Sequence, residues 1–433
     1  MADKHLIPMI QIRIFPLLLV CLIACKSSEH TTTSYTAFTG ATIIDGSGAP
    51  PIHNGVLLIQ NGRVVAVGNK KSVDIPNNAA IKDVSGKIIV PGFINAHGHV
   101  GDAKGISGSH YSRENVIDNL SIYARYGITT VVSLGGDKID SEAVRAVIDT
   151  TSTNHARLFI AGDVITGNTP DEAMVVIDSN HHMGVDFMKI RVDDNLGTSP
   201  KMSEEVYRAV IKRSHDLGYK IATHMYYLED ARKLLEAGTD MLAHSVRDLP
   251  VDPAFVQLIK EKKVGYCPTL TRELSTFVYA DTAEFFSDPF FTEVYDSATI
   301  QPLLDPARQL QVQNARAGKI YKQQLPTAMA NLNTLSSQGV PILFGTDSGV
   351  PTRFIGYFEH IEMKMMAEAG LTPMEIIVSA SKNAAEYMGL KDLGTLTQGH
   401  WADFIVLDAD PLEDITNVKK INAVFIGGNE VKR

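Results

Sequence analysis

The sequence predicts an α/β fold: a (β/α)8 TIM-type barrel with a small β-sandwich formed from both ends of the chain. Three observations predict it. Between residues 91 and 390, eight apolar strand-like runs alternate with helix-like stretches, the pattern of parallel strands joined by crossover helices. Residues 35–90 and 391–433 carry short strand-like runs with turns between them. A chain of 433 residues is also too long for one small domain and suits a barrel with an accessory module.

At the N-terminus, Lys4 and Arg13 precede "IFPLLLVCLIA", an uncharged run too short to span a bilayer but the length of a signal-peptide core. It ends in "LIAC", residues 22–25, followed by the polar stretch "KSSEHTTTS". That pattern resembles the lipobox of bacterial lipoproteins. The resemblance implies a signal peptide over 1–24, a lipidated Cys25 and a polar linker over 25–34. The mature protein is then expected on the extracytoplasmic side of a bacterial cell envelope, held to the membrane by its lipid anchor alone. Lys26 after the cysteine points to the outer membrane. A signal peptide cut elsewhere and an uncleaved anchor are the alternatives. Cleavage before Cys25 removes Cys21 and leaves Cys267 as the one other thiol, so no intrachain disulfide is expected.

The first sandwich portion is read from "AFTGATIIDG", "GVLLIQNGRVVAVGN" with its Asn-Gly hairpin signal, and "GKIIVPG". The second is read from "ADFIVLDADP" and "INAVFIGGNEVKR". The barrel strands are expected at "GFINAHGHV", "GITTVVSLGG", "RLFIAGDVI", "DFMKIRV", "KIATHMYY", "DMLAHSV", "VGYCPTL" and "PILFGTDSG", with helices such as "MSEEVYRAVIKRSHDLG" and "LEDARKLLEAG" between them. From 271 to 335 the chain makes a long excursion holding Phe277, Tyr279, Phe285, Phe286, Phe290, Phe291 and Tyr295. A lid over the barrel mouth offering apolar surface to substrate is one reading. A packed helical insertion, or a contact between copies in a homo-oligomer, is the other. The formal net charge of −9 and the absence of any Lys/Arg run argue against nucleic acid and against an electrostatic membrane patch.

Barrel enzymes carry their chemistry where strands end at one mouth. His97 and His99 end the first strand, and spacing of two puts both imidazoles on one face. Lys189 lies in strand four, His224 ends strand five, His244 ends strand six and Asp347 ends strand eight. Neutral imidazoles with carboxylate-type oxygens suit divalent transition metals, zinc above all. Lys189 is the anomaly. An ammonium buried beside cations is disfavoured twice, so the amine is expected to be neutral. A neutral amine captures CO2 to give a carbamate, whose two oxygens would bridge two metals.

In that order, "PGFINAHGH", "FMKI", "ATHMY", "LAHS" and "FGTDSG" resemble the amidohydrolase superfamily, in particular its Xaa-Pro dipeptidase and imidazolonepropionase-like branch with a carbamylated lysine. "TQGHWADFIVLDADPLEDITNVKKINAVFIGGNEV" resembles that family's C-terminal sandwich segment. The resemblance covers residues 36–433. It implies that His97, His99 and Asp347 bind one metal, His224 and His244 the other, and that Lys189 bridges. It further implies attack on an amide or related C–N bond by metal-activated water, with Asp347 as general base and acid. Deaminase members usually carry a Glu three residues after the strand-five histidine, where this chain has Tyr227.

Arg191, Arg247 and Arg353 are candidates to hold a substrate carboxylate. A pair with Asp193 or Asp194 is the alternative for Arg191. Tyr226 and His110 are further substrate-binding candidates. The expected partner is a small molecule or dipeptide with a free carboxylate. A lactonase, a phosphotriesterase or a deaminase on the same scaffold is the rival within enzymes. A non-catalytic metal-binding surface lipoprotein is the rival outside them.

Overall fold

The computed structural model describes residue 1, residues 34–145 and residues 154–432. Cys25 and the expected signal peptide beyond Met1 lie outside the described residues.

The chain enters through β1 (Thr36–Ile43), β2 (Ile52–Gln60) and β3 (Arg63–Asn69). Asn61 and Gly62 close the expected hairpin with φ of 52° and 75°, the double left-handed turn that matches strand twist. Next come β4 (Ala80–Asp83) and β5 (Ile88–Pro91). The sequence did not announce β4, because every residue in it is exposed and it shows no apolar face.

Seven parallel strands follow inside the expected runs. They are β6 (Phe93–Gly98), β7 (Ile128–Ser133), β8 (Arg157–Ile160), β9 (Met188–Val192), β10 (Ile221–Met225), β11 (Met241–Ala243) and β12 (Gly265–Cys267). They form two sheets, β6-β7-β8 and β12-β11-β10-β9. The helices Glu204–Asp216 and Leu228–Ala237 lie where their apolar periodicity placed them.

The eighth expected run, "PILFGTDSG", is not a ladder strand. It touches β12 through the bridge Tyr266–Ile342 and β6 through the bridge Gly98–Ser348. Left-handed φ at Asp347 (59°) and Gly349 (87°) interrupts its extended backbone. Isolated backbone bonds still cross both gaps between the sheets. Ala96 N donates to Phe344 O (2.8 Å) and Leu343 N to Tyr266 O (2.9 Å) on one side. On the other, Asp186 N donates to Ile160 O (2.8 Å) and Ile165 N to Lys189 O (2.7 Å).

The chain returns through β13 (Phe404–Leu407), β14 (Ile421–Ile426) and β15 (Asn429–Glu430). These join the first strands in one sheet, ordered β15-β14-β13-β5-β1-β2-β3 with β4 against β1. Both ends therefore build one element. Trp401 lies between the guanidinium groups of Arg63 and Arg157, 3.8 Å and 4.3 Å from its ring.

The excursion after β12 is a packed insertion. Tyr279, Phe286, Phe291 and Tyr295 are buried with Phe354, Tyr357 and Phe358 in a cluster of their own. Tyr279 Oη donates to Thr352 O (2.6 Å) and Tyr295 Oη to Ile355 O (2.8 Å). These rings do not offer the substrate-facing apolar surface that the lid reading supposed, because burying them against one another removes more ring area from water than lining an open mouth. The last helix of the insertion, Arg316–Ser337, sets Tyr321 against Arg272 and Gln324 against Tyr226.

Candidate metal centre

The structure brings the six expected site residues into one cluster. β6 delivers His97, with His99 just beyond its end, and the unusual closeness of the eighth run completes the group. A Cβ on Gly345 would meet His97 N at 2.9 Å, and one on Gly349 would meet His99 O at 1.9 Å. Only glycine permits that approach. Asp347 Oδ1 lies 2.8 Å from His99 Nε2 and 3.4 Å from His97 Nε2. His97, His99 and Asp347 present ligand atoms within 4.8 Å of one another and could hold a metal ion. Lys189 Nζ stands 3.4 Å from His97 Nε2. The His244 ring is 4.8 Å from that of His97 and 4.2 Å from that of His224.

Partners outside the cluster fix which imidazole nitrogen faces inward. Gly135 O lies 3.0 Å from His99 Nδ1 and accepts its proton, which leaves Nε2 as the atom that points into the cluster. Asp193 Oδ2 lies 2.9 Å from His224 Nε2 and accepts its proton, leaving Nδ1 as the free donor atom. Thr269 Oγ1 lies 2.7 Å from His244 Nδ1. A hydrogen-bonded second nitrogen of this kind orients a ligand and raises its basicity. Sequence reasoning weighed Asp193 only as a partner for Arg191. The alternation that aligned Lys189 and Arg191 on one face extends to Asp193, and was the available signal. Thr269 had none.

The electrostatics suit cation binding. Burial lowers the Lys189 amine to about 8. Burial, then repulsion from Lys189, holds His97 well below the usual imidazole range. Burial lowers His224 to about 3 and His244 well below its ordinary value. Burial pulls the Asp347 carboxyl up, but Arg353, then His97 and His99, more than offset it and keep it anionic. Imidazoles, one carboxylate and an amine whose pKa is lowered toward the neutral range are a donor set that divalent metals fit. His244 and Asp347 both have left-handed φ, 85° and 59°. For a non-glycine residue this costs about 1–3 kcal/mol and persists where surrounding contacts enforce it.

The substrate-binding candidates fare differently. Arg353 is bonded to Asp347 Oδ2 and to Ser275 Oγ (3.1 Å), so it serves the carboxylate of the cluster and is not free for substrate. Arg247 is fully buried. It faces Glu273 at 3.1 Å and donates to Ser245 O (2.6 Å), an internal strut that does not reach outward. Tyr226 Oη is occupied by Gln324. His110 is exposed, outside the bonded cluster. Arg191 takes the paired alternative, bonded to Asn195 and 3.5 Å from Asp193. It nonetheless lines a cavity of about 480 Å³ with Asn168, Ser199 and Lys201.

An arginine that the sequence did not single out, Arg272, lies in the short helix Leu270–Leu274 just beyond β12. It shares Glu273 with Arg247 (2.9 Å from its Nη1) and stacks on Tyr321 at 4.6 Å. Two guanidinium groups against one carboxylate leave a positive excess, and its field lowers both His224 and His244. "CPTLTR" showed a strand end at the mouth but held no motif.

A model of the amidohydrolase family matches residues 88–431. The 5-methylthioadenosine/S-adenosylhomocysteine deaminase of Halalkalibacterium halodurans is 23% identical over 401 residues, covering 83% of this chain and 82% of that one. The imidazolonepropionase of Streptomyces avermitilis is 22% identical over 420 residues, covering 88% and 94%. A solved Xaa-Pro dipeptidase with bound methionine in its active site superposes with a TM-score of 0.74 at 21% identity, covering 92% of this chain and all of that one. Neighbours of this family imply a TIM barrel plus β-sandwich.

Proposed function

The chain belongs to the amidohydrolase family and is a hydrolase acting on C–N bonds; from that premise we propose that it works with two divalent metal ions, zinc by preference, on a small N-acyl or aminoacyl amino acid. The observation that carries this reading is the convergence of His97, His99, His224, His244 and Asp347 around a buried lysine that, among the described residues, makes no salt bridge. His97, His99 and Asp347 would hold one ion, and His224 and His244 the other. Lys189, taking up CO2 and releasing a proton to become a carbamate, would serve both. Such ions supply Lewis acidity toward a carbonyl and lower the pKa of water.

The chain's own residues do the rest. Asp347 accepts a proton from the attacking water and returns it to the leaving nitrogen, and Arg353 keeps it anionic between turnovers. Asp193, Gly135 and Thr269 hold the imidazoles in orientation. Arg272 grips the substrate carboxylate, the role first expected of Arg191, Arg247 or Arg353. The lipid anchor at Cys25 and an extracytoplasmic location belong to the same proposal.

A second reading is a deaminase, favoured by the deaminase relative that matches most of the chain. Against it, Tyr227 stands where a deaminase carries its acid, and donates its hydroxyl to Asp194 at 3.1 Å. Zinc-loaded protein prepared in bicarbonate is expected to bind two equivalents of metal and to cleave N-acyl amino acids or dipeptides. Ammonia release from purines or pyrimidines, with no peptide cut, would install the deaminase instead.

A further inference from the structure

Helix Tyr357–Glu368, directly after the eighth run, buries two carboxylates on its inner face, Glu359 and Glu362. A helix that buries two acids has given up apolar packing to do so, and each acid must find donors. Glu359 Oε1 takes three: Asn95 Nδ2 at 2.7 Å, Thr346 Oγ1 at 2.7 Å, and Ser348 Oγ. These donors share one property. Asn95 Oδ1 accepts from His97 N at 2.9 Å. Ser348 O accepts from His99 N at 2.8 Å. Thr346 and Ser348 flank Asp347 on both sides, and Asp347 has the left-handed backbone that its surroundings must enforce. Tyr123 Oη, 2.7 Å from Ser348 Oγ and 3.2 Å from His99 O, closes the network. One buried carboxylate oxygen thus reaches all three residues of the His97–His99–Asp347 group, each through a single intermediary.

Glu362, one turn further on, turns the other way. It accepts from Leu270 N, Thr271 N and Thr271 Oγ1, each at 2.7 Å, and holds the segment between Thr269, which bonds His244, and Arg272.

We propose that Glu359 is a positioning residue that presets the His97–His99–Asp347 half of the site, independently of the His224–His244 half. It touches neither substrate nor metal. It fixes the turn at Asp347 against β6, so that the three ligand atoms already face one another when an ion arrives. The proposal rests on the metal reading for its functional consequence, but its geometric part does not need a metal.

Two readouts keep these separate. The first is chelator competition on the loaded protein. Glu359→Ala is expected to weaken one of two ions by about 10- to 100-fold, the usual effect of losing a partner behind a ligand, and to leave the other within about 3-fold. Glu359→Gln keeps an acceptor oxygen in place and is expected to restore most of the loss. The second is histidine imidazole NMR on metal-free protein, where Glu359→Ala should move the His97 and His99 signals and leave those of His224 and His244 in place. If Glu359→Ala does not fold, Thr346→Val, which removes one of the three donors without changing shape, carries both readouts with the same expected direction. Unchanged affinity and unchanged His97 and His99 signals in a folded variant overturn the proposal. So does an equal loss at both ions. A wild type that binds no divalent ion defeats the proposed function, and the NMR pattern alone then decides the inference.

Discussion

Removing the carboxylate of Asp193 should damage metal binding through His224 alone. The side chain of Asp193 is wholly buried, and its Oδ2 accepts the His224 Nε2 proton at 2.9 Å. A hydrogen bond to a charged group contributes about 1.5–3 kcal/mol. Losing the partner behind a metal-binding histidine typically weakens the metal about 10- to 100-fold. Asp193→Ala removes both the charge and the acceptor and frees His224 to change tautomer, so the full effect is expected. Asp193→Asn keeps an acceptor oxygen in place and loses only the charge, so it should fall nearer the wild type. The assay is chelator competition for the two ions, followed by kcat/KM on any cleaved substrate. The acid limb of stability gives an independent check. Burial raises the Asp193 carboxyl, but His224 more than offsets this and holds it well below the ordinary value. A carboxyl depressed in the folded state contributes stability above its unfolded pKa of about 3.9, and that contribution is lost as pH falls through the folded value. Denaturant melts of metal-free Asp193→Asn should therefore be flatter than the wild type below about pH 4. Unaltered metal affinity in Asp193→Ala, or an Asn variant worse than the Ala variant, would refute the reasoning.

Lys189→Ala should lose metal and turnover together, and recovery of metal-depleted wild type should depend on bicarbonate and rise with pH. With an amine at about 8, roughly one lysine in ten is neutral at pH 7 and most are at pH 9; a Lys189→Ala protein with full metal content and normal rates would end the bridging reading. Arg272→Ala should cut kcat/KM for a peptide acid by about 10- to 100-fold, a charged hydrogen bond's worth, while barely changing the rate for the corresponding peptide amide. Equal losses on acid and amide would remove Arg272 from substrate binding. Labelled fatty acid should enter the wild type in a bacterial host and not Cys25→Ser, and equal labelling of both would dispose of the lipid anchor.

How much of this was legible before folding differs by the range of the interaction. Strand alternation put His97 beside His99 and Lys189 in register with Arg191, and short motifs marked His224, His244 and Asp347. Each of these rests on a few neighbouring residues, because side-chain direction in a strand repeats every second position. The Asn61-Gly62 hairpin was legible for the same reason. Partner choice was not. What each arginine binds depended on Arg353 finding Asp347, on Arg247 and Arg272 sharing Glu273, and on Arg191 turning to Asn195. The aromatic rings of the excursion chose one another over the mouth. Glu359 lies 264 positions from Asn95, and nothing local to either residue announces the bond. Local periodicity decides which way a side chain points. Whether a buried charge meets a ligand, a counter-ion or another ring is decided by which segments the fold sets within hydrogen-bonding reach, since a buried polar group must take whatever donor or acceptor that packing leaves beside it.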